Sequence, residues 1–179
     1  MHGTQAMRPV WPLIIAVVSA LPIVAAQRST PGVVWAPSGE VCAVVIDTEP
    51  PVSESRLKIR NRVGEVLFTR NFASPDGNHG LEITNAQWTP NSQYFVFSGN
   101  SSGGHQPWQA PTFFYSRASN ALYDIAGCVG PVTPAVAFQL KAPDVVVLAI
   151  LVRTPEGYSD KSVATSLSLS ALERQCTHE

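Results

Sequence analysis

The residues able to do chemistry gather in two polar stretches. Gly99-Asn100-Ser101-Ser102-Gly103 has G-x-S-x-G spacing. In hydrolases that spacing puts a serine on a sharp turn between a strand and a helix, facing oxyanion donors. The apolar run Tyr94 to Ser98 supplies the strand, but Gly103 to Pro111 holds two glycines and two prolines. That is the composition of a hairpin loop and not of a helix. Ser101 is thus a candidate nucleophile without its usual setting, and nothing in the spacing of Asp124, Asp144, Asp160 and His178 brings them to it. His105 and Trp108 share the loop as candidate ligand contacts, because an aromatic with polar neighbours on a loop tip suits a sugar or peptide. The competing expectation is that Trp108 folds back to cover its own sheet, since large aromatics are mostly buried. The second stretch, Ala73 to Gly80, carries Asp76, Asn78 and His79. A calcium or transition-metal site needs more ligands than these, so a solvated turn and no metal are expected.

Cysteine usage bears on compartment. Cys42 lies in the apolar run Val41 to Ile46 and reads as a small buried hydrophobe. Cys128 and Cys176 fall in polar, turn-like segments and are the expected disulfide pair in an oxidising compartment, the alternative being three unpaired thiols. Their spacing matches no zinc-ligand cluster. The N-terminus points to export. Residues 1–9 carry Arg8 and no acid, Val10 to Val24 is almost wholly apolar, and Val24-Ala25-Ala26 presents small residues to a signal peptidase. Residues 1–26 are read as a secretory signal for a secreted or periplasmic protein. An uncleaved signal anchor is the alternative, disfavoured because Pro12 and Pro22 interrupt a run shorter than the ~20 residues a spanning helix needs.

The 179 residues less these 26 leave 153, enough for one domain with a real core. Losing Arg8 takes the net charge from −1 to −2. A near-neutral chain lacks the basic face that neutralises nucleic-acid phosphates. It also has no polybasic run for an anionic membrane.

Stepping along residues 27–179, short apolar or alternating runs are separated by turn formers, with no helical period. Three units are expected, at about 32–72, 81–126 and 132–172. In each a large aromatic closes one strand and a turn leads into the next. Trp35 precedes Ala36-Pro37-Ser38-Gly39, Trp88 precedes Thr89-Pro90-Asn91-Ser92, and Phe138 precedes Gln139-Leu140-Lys141. Trp35 and Trp88 stand 53 residues apart, and Trp88 and Phe138 stand 50 apart. A constant register over such a period marks a repeated sheet. One antiparallel sheet cannot hide both faces, so stacked sheets with a bulky ring in each wedge are the economical solution. Arg56, Lys58 and Arg60 alternate with Leu57 and Ile59, and with Arg62 they put four cations on one face; the row reads as the wet face of an outer strand, a patch for an acidic partner being the alternative. The last ten residues are expected to fray.

The turns Trp88-Thr89-Pro90-Asn91-Ser92 and Trp35-Ala36-Pro37-Ser38-Gly39 resemble the blade turn of TolB-type and WD-repeat-like β-propellers, where an aromatic, a hydroxyl residue and Pro-Asp-Gly precede an apolar strand. Phe138-Gln139-Leu140-Lys141 departs from the pattern by lacking the proline. The resemblance implies an all-β fold of about three four-stranded antiparallel sheets in a propeller-like array. A closed propeller has four or more blades, so the array is expected to stay open or to close by homo-oligomerisation, with a two-layer β-sandwich as the alternative. The blade motif says little about activity, because this fold hosts binding proteins and enzymes alike. The expected function is an exported, non-enzymatic binding module for a protein or small-molecule partner, with no cofactor. A serine hydrolase using Ser101, or a degenerate propeller fragment, are the alternatives.

Overall fold

The computed structural model describes residues 32–48, 54–104, 108–134 and 138–176. The segments assigned above to the signal and to His105 lie outside these residues. Among the described residues, three antiparallel sheets follow one another along the chain. The first is the meander β1 (Val33–Trp35), β2 (Val41–Asp47), β3 (Ser55–Asn61) and β4 (Val66–Asn71). The second repeats that order with β5 (Leu81–Trp88), β6 (Tyr94–Ser101), β7 (Thr112–Ser116) and β8 (Ala121–Asp124). The third contains β9 (Gln139–Lys141), β10 (Val145–Thr154) and β11 (Gly157–Ser168).

The middle sheet is buried on both sides. Side chains alternate across a strand, and on β6 Phe95 and Phe97 enter a core shared with the first sheet, beside Ala43, Leu57 and Ile59. Tyr94 and Val96 enter a second core with Val146, Leu148 and Phe138 of the third. Two-sided burial explains why β6 reads as a continuous apolar run, whereas Arg56-Leu57-Lys58-Ile59-Arg60 alternates on a strand with only one buried face.

The three aromatic positions have different fates. Trp88 is 3% exposed. Its indole Nε1 donates to the Val34 carbonyl at 2.9 Å, and its ring lies 5.2 Å from Phe95 and edge-on to Tyr115. It therefore joins the first two sheets by both packing and hydrogen bonding. Phe138 is buried in the second core. Trp35 is 52% exposed, against the expectation of a wedge, because its face ends the stack and no described element covers it.

The turns after Trp35 and Trp88 are built alike. Gly39 N donates to Ala36 O and Ala36 N to Val41 O, while Ser92 N donates to Thr89 O and Thr89 N to Tyr94 O. Pro37 and Pro90 sit at the second position of each. Gly39 and Ser92 both take positive φ, 70° and 60°. Ser92 meets that requirement without being glycine, and its Oγ also accepts from Ser38 N of the other turn.

Among the described residues, two short helices correct the expectation of strands and frayed ends. α1 (Ile125–Val129) follows β8, N-capped by Asp124. α2 (Leu169–Gln175) follows β11, where Ser168 caps it and Asp144 accepts from Ser170 N. The chain thus turns into a helix where the other sheets have a fourth strand. α2 is then held down by Leu169 and Leu172 in the core, and by Glu173, which accepts from Tyr94 Oη at 2.9 Å and Ser116 Oγ at 2.7 Å. Burial opposes ionisation of Glu173, but the hydroxyls of Ser116, Ser119 and Tyr94 outweigh it and hold the carboxyl below the ordinary range. Cys128 of α1 and Cys176 at the end of α2 form a disulfide, with Cα atoms 5.7 Å apart. Cys42 is a buried free thiol, its pKa raised by that burial.

Replacing Trp88 by alanine should cost ~3–5 kcal/mol, whereas Trp35→Ala should cost under ~1 kcal/mol. Urea denaturation of the two variants checks this contrast. Equal losses would mean that Trp35 is as well packed as Trp88.

Candidate functional site

The connection from the first sheet to the second is organised by one buried carboxylate. Glu54, immediately before β3, is 2% exposed. Its oxygens accept from Ser74 N at 2.6 Å, Ser74 Oγ at 2.7 Å, Gly80 N at 2.9 Å and Ser102 Oγ at 2.7 Å. Burial pushes the carboxyl up, yet the donors from Ser74, Ser102 and Gly80 outweigh it and leave the group below its usual range. A buried charge is tolerable when its lone pairs are filled in this way. Gly80 is obligatory here, since a Cβ would run into the Glu54 carboxyl and the Phe72 carbonyl. Nearby, Ser55 Oγ donates to Asp47 and accepts from Ile83 N, a second polar link between the sheets.

With 72–80 and the turn after β6 fixed by Glu54, a cavity of about 340 Å³ opens between them, lined by Phe72, His79, Gly80, Leu81, Ser101, Pro111 and Phe113. The floor is aromatic. Phe72 lies 5.7 Å from both Phe97 and Phe113, and Phe97 stacks on Phe113 at 5.4 Å. The rim is polar. His79 Nδ1 lies 2.6 Å from Asp76 Oδ2 in the exposed turn before β5. The Asn78 backbone amide, with lesser help from His79 and Ser74, holds the Asp76 carboxyl down to about 2.

The structure thus puts Ser101 and His79 on one cavity, with Asp76 beside the imidazole. Sequence spacing offered no means of joining residues from two different loops. It does not provide the hydrolase setting, however. β6 ends at Ser101 and a turn follows, closed by Gly104 N donating to Ser101 O, with no helix among the described residues of this loop. Ser102 N is committed to Gly80 O. The amides of Ser102 and Gly104 are therefore spent on the fold and are not aimed at a developing oxyanion. Gly99 also has a structural reason, since a Cβ there would strike the Glu82 carbonyl across the register shift between β5 and β6. Trp108 is 49% exposed on the same loop. Among the described residues no three His, Cys, Asp or Glu side chains form a metal-ligand group. Nor is any helix there long and apolar enough to cross a membrane.

Set against known proteins, the chain matches no family model, no curated protein and no solved structure.

Glu54 gives a signed pH dependence. Its folded pKa is depressed, so its contribution is present above the unfolded value and is lost as pH falls through the folded one. Glu54→Gln should cost ~1–3 kcal/mol at neutral pH and reduce the loss of stability on acidification, read by urea denaturation across the acid range. Gly80→Ala should be destabilising by ~1–3 kcal/mol. A carboxyl-carbon NMR titration should place the Asp76 midpoint at about 2.

Proposed function

We propose that this chain is an exported, non-enzymatic binding module whose three sheets form a propeller-like array. Support for the array comes from two four-strand meanders laid down in the same order, from face-to-face packing through two cores, and from the matched turns at Ala36–Gly39 and Thr89–Ser92. Support for export comes from the charged, apolar and small-residue pattern of residues 1–26 and from a disulfide, a bond that persists in oxidising compartments. The array is open in one chain, and a second copy is the means by which it would close.

The observation that carries the binding reading is the cavity itself. It has an aromatic floor and a polar rim of Ser101 and His79, and the amides of Ser102 and Gly104 are engaged elsewhere. Such a site suits a small aromatic ligand with one hydrogen-bonding end. Hydrolysis by Ser101, with His79 and Asp76 as base and orienting acid, is the second reading, and the shared cavity is the observation in its favour.

Titration with p-cresol should shift the amide resonances of Leu81, Ser101 and Phe113, and Ser101→Trp should abolish those shifts. A fluorophosphonate probe should leave the protein unlabelled. Labelling that disappears in Ser101→Ala would replace the binding reading with the hydrolase. Light scattering on the purified protein reads closure directly, since a dimer is required for a ring.

A further inference from the structure

The outer face of the first sheet is a second surface, independent of the cavity. Register places Trp35, Cys42 and Arg60 in one row across the strands, Val33, Val44 and Lys58 in the next, and Ile46 and Arg56 in the third. Residues opposite one another across a ladder share a face. The other face, with Ala43, Val45, Leu57 and Ile59, is the one buried against the second sheet. The outer face therefore presents Val33, Trp35 and Ile46, all exposed, beside Arg56, Lys58 and Arg60.

Its charge is one-signed. The three rows hold three cations and no carboxylate, and none of the three cations is in an ion pair among the described residues. Arg60 Nε is buried with no hydrogen-bond partner. A buried guanidinium nitrogen left without an acceptor is costly. The open face at the other end of the stack does not complement this one. Its rows Lys141–Val145–Ser168 and Gln139–Val147–Ser166 offer a lysine and no carboxylate, so a second copy stacked there would set cation against cation.

Spacing narrows the partner further. Arg56, Lys58 and Arg60 are alternate residues of one strand, so they recur every ~6.8 Å. An extended peptide has the same period on each of its own faces, which lets one carboxylate meet each cation. We propose that this face docks an extended acidic segment of a protein partner. Carboxylates at alternate positions meet Arg56, Lys58 and Arg60, and an apolar side chain rests on Trp35.

The test is fluorescence anisotropy of a labelled octapeptide of alternating glutamate and valine, added to the purified full chain. Saturable binding is expected, falling at least about tenfold when salt is raised from the low-millimolar range to several hundred millimolar. Trp35→Ala should weaken it about tenfold, and the triple variant Arg56→Glu, Lys58→Glu, Arg60→Glu should abolish it. Lys58→Glu alone should also weaken binding, and it avoids disturbing the buried Arg60 nitrogen. Absence of binding would overturn the proposal, as would equal binding of the lysine–valine octapeptide. Tighter binding of an oligothymidylate of the same charge would transfer the face to nucleic acid. A dimer in which Trp35 becomes inaccessible to iodide quenching would transfer it to a second copy.

Discussion

Phe95 and Val96 are neighbours in the chain, and each is wholly buried against a different sheet. The rest of the molecule depends on that arrangement. A single meander has one face too many, and the second sheet resolves the problem for itself by lying between the other two. Phe72, Phe97 and Phe113 belong to this packing, so the cavity floor is an edge of the core that is not quite covered. Cost shifts to the ends of the stack, where the first and third sheets each keep one face without a described neighbour.

Polar groups then fix how the layers meet. Glu54 and Ser55 bind the first sheet to the second, and Glu173 binds α2 to the second sheet through Tyr94 and Ser116. Burial raises the Tyr94 phenol, and its bond to Glu173 raises it further, so the hydroxyl stays a donor throughout the physiological range. Apolar burial provides the driving force but sets no direction, whereas these carboxylates accept from donors in only one arrangement.

Much of the strand plan was legible because period-two patterning is local. Arg56 to Arg60 alternates, and Tyr94 to Ser98 does not, which already separates a half-wet strand from one covered on both faces. The aromatic-turn-strand motif was legible too. What it concealed was context: Trp35 and Trp88 look the same in sequence, and only the presence of a neighbouring sheet makes one a buried wedge and the other an exposed ring. α2 was missed because seven residues give barely two turns of helix, and its support comes from distant partners such as Asp144, Tyr94 and Ser116. The meeting of Ser101 with His79 was likewise beyond sequence. It follows from Glu54 drawing together two loops on either side of β5 and β6, a long-range contact with no signature of its own.

The bond between Cys128 and Cys176 closes a loop whose ends are 48 residues apart and which contains the whole third sheet. On chain-entropy grounds such a clasp removes ~4 kcal/mol of freedom from the unfolded chain. It also governs how the molecule can fail. A protease cutting the hairpin between β10 and β11 would leave both pieces covalently tethered, so the third layer could swing open yet not be lost, and the aromatic face of the middle layer would remain within reach of the cover it needs.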